Sequence, residues 1–433
     1  MVSENLWAYD ATAMAQLVRT GATTSEALMR ACLERIAERD PSIAAWEFLD
    51  PNMALAAARA CDAAPAKGPL HGVPVAIKDI IDTAEMPTGY GSLIYSGHRP
   101  AADANCVSAL RAAGAVIMGK TVTTEFATFR PGKTHNPHNY AHTPGGSSSG
   151  SAAAVASGMA PIALGTQTVG SVIRPAAFCG TVGFKATQGL LELTGVKPLA
   201  SSLDSLGCFT RSVRDAALWF SVQSGHAPAP RRTRLPKVAM VRSAQWHEAR
   251  AESRTAVESA AATLRHAGIS VTEPVLPEAF NTLVECQNIV FSRGARVALA
   301  QEWADHRGAL SPQLVQVLAY GDSISDSVLA EAEKTAAACR RVLEGLFQEV
   351  DLILTPAAPG EAPHGLAATG DPLFNRTWTL MLGPCATLPS ATGPTGLPVG
   401  IQLVGPRNGD AAFLDDVGVI AERLGLGLGV SPV

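Results

Sequence analysis

The chain lacks the cysteine spacing of a disulfide frame or a thiolate zinc site. Its eight cysteines (Cys32, Cys61, Cys106, Cys179, Cys208, Cys286, Cys339 and Cys385) are scattered without one Cys-x-x-Cys pair. That pattern suits free thiols in a reducing compartment. Charge is also scarce, at 17% of residues, and 34 basic against 38 acidic side chains leave a net charge of -4. With no long basic run, nucleic acid and anionic membrane are excluded as main partners. The stretch Met1 to Asp10 carries Glu4 and Asp10 and no apolar signal core, which predicts a soluble cytoplasmic protein. From Thr134 to Ile173 there is no charged residue at all. That run is long enough for a bilayer, but its first half is His, Asn, Pro, Gly and Ser, so it predicts tightly packed interior backbone.

What is present is a large apolar fraction, 47% of 433 residues, enough for a substantial core. Thr23 followed by Glu26 predicts a capping box, with Leu28, Ala31, Cys32 and Ile36 on one helical face. Val73 to Ile77 reads as a buried strand, followed by a helix near Val107 to Ala113, a stop at Gly114 and a strand from Ala115 to Met118. Further strands are predicted at Leu235–Val241, Val350–Leu354 and Leu397–Val404. Alternating strands and helices predict α/β layering, a central mixed sheet with helices on both faces. The Pro-rich, basic segment Ala227 to Lys237 separates two sequence halves, a core of about 70–215 and a remainder of about 235–433. They are read as one domain, residues 1–433.

The chemistry concentrates in the uncharged centre. Gly145-Gly-Ser147-Ser-Ser-Gly-Ser151 is a glycine-rich loop entering a small-residue helix, Ala152 to Gly158. A phosphate loop would need Lys and Ser/Thr after its second Gly, and that pair is absent. Gly146-Ser-Ser148-Ser-Gly150 satisfies Gly-x-Ser-x-Gly, but a nucleophile elbow needs a buried strand ahead of its serine, and Asn136 to Pro144 is unsuited to one. In Gly165-Thr-Gln-Thr-Val-Gly-Ser171-Val-Ile-Arg174, Gly170 permits a turn that aims successive N–H groups at one point, as an oxyanion hole requires.

Taken together, the Gly145–Ala156 and Gly165–Ala176 segments resemble the amidase signature, and Val73-Pro-Val-Ala-Ile-Lys78-Asp resembles that family's lysine segment. Ser202–Ala217 and Gly396–Gly405 look like further family landmarks, so the resemblance covers essentially the whole chain. The Gln-Thr-x-Gly-Ser-Val-Ile-Arg form is most similar to the malonamidase-like branch. The resemblance implies the amidase signature fold, no metal or organic cofactor, a small-molecule amide as substrate and, more loosely, a homodimer. It implies Ser171 as nucleophile, Ser147 after a cis peptide from Gly146 as bridge, and Lys78 as base. Thr168, Val169, Gly170 and Ser171 would supply oxyanion N–H groups, and Gly146 and Arg174 would contact substrate. The physical requirement is plain: a serine hydroxyl needs a proton acceptor within reach, and no histidine lies between Ser147 and Arg174. At an unperturbed pKa, only about 10⁻³ of a lysine is neutral at pH 7, so Lys78 must be buried or set beside another cation.

Two positions depart from commoner family forms. Gln167 stands where many members have Asp, and Val169 where Gly or Ala is usual, which narrows the backbone and puts substrate size in question. Arg174 reads either as a grip on a substrate carboxylate, as in the malonamidase-like branch, or as half of a structural ion pair. The expected reaction is hydrolysis of linear amides, with carbamate (urethane), aryl-amide or ester hydrolysis, or an amidotransferase subunit feeding ammonia to a partner, as alternatives. His135, His138 and His142 lie close together without a nearby carboxylate or thiol and do not predict a metal. Glu125 and Phe126 predict a helix start, and Asp79, Asp82 and Asp204 loop anchors near the site. Tyr90, Arg130, Phe374 and Trp378 are candidate pocket walls.

Overall fold

Side chains alternate across the central strands, and both sets are buried. Val75, Ile77, Ile117 and Leu164 enter one apolar cluster, while Ala76, Val116, Met118 and Ala163 enter another. A sheet covered on both faces reads as continuous apolar runs. The computed structural model describes residues 5–226 and 232–426. It contains one sheet of eleven strands: β1 (Trp46–Leu49), β2 (Pro74–Lys78), β3 (Val116–Thr121), β4 (Ile162–Gln167), β5 (Val182–Lys185), β6 (Ser205–Thr210), β7 (Val238–Met240), β8 (Val271–Thr272), β9 (Leu352–Pro356), β10 (Cys385–Thr392) and β11 (Pro398–Val404). The order is β1-β3-β2-β4-β6-β5-β10-β11-β9-β7-β8. Strand β2 runs parallel to β3 and β4, the middle of the sheet is antiparallel, and β7 is parallel to β8 and β9. The sheet is therefore mixed, as expected. The seam between sequence halves is antiparallel, pairing Lys185 with Cys385 and Gly183 with Thr387. Of the Pro-rich connection Ala227–Lys237, residues 227–231 lie outside the described residues, as do Met1 to Glu4 of the N-terminal stretch.

Several boundaries move. The helix expected after Thr23 is Ser25–Ile43, and its cap is Thr24, whose extended backbone lets its hydroxyl accept from Ala27 N–H at 3.1 Å. Glu26 is turned to Arg30 and Arg59 instead of closing a capping box. Leu28, Ala31, Cys32 and Ile36 are buried on the expected face. Glu125 and Phe126 open only a three-residue 3-10 turn, Glu125–Ala127, and no longer helix follows. They form a single tight turn with Phe126 at φ 45, held by Phe126 N–H donating to Tyr90 O at 2.8 Å.

The small-residue helix begins at Ser149, ahead of the expected Ala152. Gly150 meets the end of β3 so closely that a Cβ there would lie 2.2 Å from Ala45 O and 2.4 Å from Val122 N. Backbone contacts this tight admit no side chain, which explains the glycine at this position. Among the described residues, no helix is long and apolar enough to cross a membrane.

Candidate active site

Lys78 is the last residue of β2, within the strand rather than after it, and its side chain is fully buried. Strand alternation sends the next residue, Asp79, to the other face, where its carboxylate lies 3.3 Å from the equally buried Lys120 amine. Burial pushes Asp79 up to about 6 and Lys120 down to about 8. Among the described residues, Lys78 is thereby left with no carboxylate in contact. Its Nζ lies 2.8 Å from Ser147 Oγ, 2.9 Å from Thr166 Oγ1 and 3.5 Å from Thr166 O. Desolvation holds its pKa well below the ordinary lysine range, against a weaker opposing pull from Asp204.

Ser147 follows a cis peptide from Gly146 and is 1% exposed. Its carbonyl accepts from Thr124 N–H at 3.2 Å. The structure thus joins Lys78 to Ser147 directly. Ser171 follows the same strand, β4, that carries Thr166. It is 6% exposed, and its hydroxyl makes no hydrogen bond to another described residue. Serine–base contacts are commonly long in unliganded enzymes and tighten when substrate binds.

The segment from Thr168 to Ser171 is anchored by its side chains and carbonyls, not by its N–H groups. Thr168 Oγ1 donates to Asp204 at 2.6 Å, and Asp204 also accepts from Leu199 and Ala200 N–H. Val169, Gly170 and Ser171 donate no backbone hydrogen bond to another described residue. Three successive buried N–H groups without an acceptor are rare in folded proteins, where nearly all such donors are paired. Gly170 lies against the helix Leu373–Leu380; a Cβ there would lie 2.4 Å from Asn375 Oδ1.

Arg174 is 3% exposed, and burial pushes it down to about 9. Its Nη2 donates to Gly146 O at 2.7 Å, and its Nη1 to Thr369 O, Thr369 Oγ1 and Gly370 O. The structural ion pair is not formed: among the described residues its hydrogen-bond partners are all neutral oxygens, and its Nε is buried without a partner. Gly146 likewise has its carbonyl spent on Arg174.

The remaining candidates separate. Ser148, the serine of the Gly-x-Ser-x-Gly lure, is fully buried with its Oγ 3.4 Å from Thr166 O. The rings of His135, His138 and His142 each bond a backbone carbonyl, those of Tyr140, Cys179 and Ala362. Tyr90 is tied to Asp82 at 2.7 Å, Phe374 and Trp378 are almost fully buried, and Arg130 lines a cleft with Asp79 and Thr123. Sequence reasoning missed Thr166 as a lysine partner and the C-terminal contributors Gln287, Asn375 and Thr379. Thr166 sits inside the Gly165–Ala176 segment; the others carry no local signal.

Residues 27–414 match the family described as Amidase, and the chain belongs to that family, the amidase signature enzymes. It is an enzyme of carbon–nitrogen amide chemistry. One subunit of glutamyl-tRNA(Gln) amidotransferase, from Anaeromyxobacter sp. (strain K), is 34% identical, covering 94% of each chain. A solved structure described as an amidase superposes with a TM-score of 0.87 at 30% identity, covering 95% of this chain and 99% of that one. The native peptide amidase from Stenotrophomonas maltophilia gives 0.81 at 28% identity and covers 96% of both chains. The expected family and its fold are both met.

Proposed function

We propose that this chain, acting as one domain, hydrolyses linear amides through an acyl-enzyme on Ser171. The observation that carries the reading is the desolvated Lys78 amine 2.8 Å from Ser147 Oγ. A neutral amine takes the Ser147 proton while Ser147 takes that of Ser171, and Ser171 Oγ attacks the amide carbon. The free N–H groups of Val169, Gly170 and Ser171, with Thr168 beside them, face the charge that develops on the carbonyl oxygen. The proton held on Lys78 returns through Ser147 to the leaving nitrogen, so ammonia or an amine departs uncharged. Water then repeats the sequence to release a carboxylic acid. No step calls for a metal or an organic cofactor. Carbamates, aryl amides and esters fit the same chemistry.

Arg174 acts as a brace rather than a grip on substrate. Oxygens of Gly146, Thr369 and Gly370 already occupy Nη1 and one N–H of Nη2, which leaves a substrate acid only Nε and the second Nη2 N–H. Arg174→Ala is therefore expected to lower kcat/KM on malonamate and on a neutral aliphatic amide alike, by roughly a hundredfold. A loss confined to malonamate would restore the carboxylate-binding role. The same assay, run on the purified chain alone with an anilide and an aryl carbamate added, tests the hydrolase reading. Steady turnover without a partner supports it; turnover only with an added partner subunit would favour an amidotransferase role like that of the 34% identical relative.

A further inference from the structure

Two carbonyls of the loop that leads into Ser171 are gripped from behind by the C-terminal half. Thr379 Oγ1 donates to Val169 O at 2.6 Å, and Gln287 Nε2 lies 3.4 Å from Thr168 O. A trans peptide is planar and holds its N–H opposite its C=O. The grip on Val169 O therefore sets the direction of Gly170 N–H, and the grip on Thr168 O sets that of Val169 N–H.

Gln167 decides where the Thr379 proton goes. One end of its amide faces two donors, Val172 N–H at 2.9 Å and Ile173 N–H at 3.0 Å, so that end is the oxygen. The nitrogen end then faces Thr379 Oγ1 at 2.9 Å and donates to it. A threonine hydroxyl carries one proton, and with Gln167 supplying a donor, that proton is directed to Val169 O. Gln167 is fully buried and Thr379 is 1% exposed, so water does not compete.

We infer that Gln167 and Thr379 are a matched pair of positioning residues that aims Gly170 N–H at the oxyanion formed during attack by Ser171. This rests on the acyl-enzyme reading above. A carboxylate at position 167 offers Thr379 an acceptor in place of a donor, draws its proton away and releases Val169 O. The amide at position 167 and the hydroxyl at position 379 thus need each other, across 212 residues of sequence.

The test compares the full-length enzyme with Thr379→Val, Thr379→Ser, Gln167→Glu and the double variant Gln167→Glu/Thr379→Val on one amide substrate. Thr379→Val and Gln167→Glu are each expected to lower kcat by roughly tenfold to a hundredfold with KM little changed. The double variant should be no worse than the poorer single, and Thr379→Ser should keep near-full kcat. Wild-type kcat in Gln167→Glu, a Thr379→Ser variant as damaged as Thr379→Val, additive losses, or an effect on KM alone would each overturn the pairing. Should Thr379→Val fail to fold, Gln167→Glu and Thr379→Ser carry the same decision. Ser171→Ala in parallel separates the two claims. Full turnover in that variant removes the acyl-enzyme reading itself, whereas its loss beside unaffected position 167 and 379 variants removes only this inference.

Discussion

Lys78→Met is expected to abolish turnover and to raise thermal stability at neutral pH. Methionine keeps the length of the buried chain and removes the amine that the account makes the base, so kcat should fall by at least about 10⁴-fold. The stability gain follows from linkage. Burial lowers the folded pKa of Lys78 below its value in the unfolded chain, about 10.4. Between those two values the unfolded chain binds a proton that the folded chain does not, so stability rises with pH across that window. At neutral pH the wild type carries this penalty and Lys78→Met does not. Melting curves at a series of pH values should show the variant's advantage at neutral pH shrinking as pH approaches about 10. A variant less stable than wild type at every pH, with a pH-independent gap, would mean that the amine is charged in the fold. The wild-type rate carries the same signature: kcat/KM should fall about tenfold per pH unit below the Lys78 pKa, because only the neutral amine accepts a proton.

Ser171→Ala and Ser147→Ala are each expected to reduce kcat by about 10⁴- to 10⁶-fold, and the double variant by no more than the worse single. Groups that pass one proton along one line act as a unit, so removing any of them forfeits nearly the whole effect. Ser148→Ala provides the contrast. Its hydroxyl meets a backbone carbonyl at 3.4 Å and no catalytic group, so kcat should stay near wild type. A large loss at Ser148 with little at Ser171 would revive the nucleophile-elbow reading. Rates on a single amide, with circular dichroism to confirm folding, decide between them.

The parts of the site that were legible in sequence are those written locally. The apolar run before Lys78 implies a buried strand, and burial of the amine follows from its position at the strand end. Gly145 to Ser151 and Gly165 to Ser171 each carry their glycines and serines within one short stretch of sequence. What escaped is written at long range. Thr379 and Gln287 lie on helices whose spacing reads as packing, and only the folded chain brings them to Val169 and Thr168. Arg174 was ambiguous because its partners are backbone carbonyls, which leave no trace in residue identity. The turn at Phe126 defeated local reasoning for the same reason. Its N–H is claimed by Tyr90 O, and the Glu125 carboxylate by Ser311 N–H at 3.2 Å from the far half of the chain.

The most direct test of the proton relay is the rate and site of covalent labelling by a small sulfonyl fluoride, read by peptide mass mapping across pH. The account expects the adduct on Ser171, forming more slowly as Lys78 is protonated, and at least about a thousandfold more slowly in Lys78→Met. An adduct on another serine, or a labelling rate at Ser171 indifferent to both pH and Lys78, would contradict it.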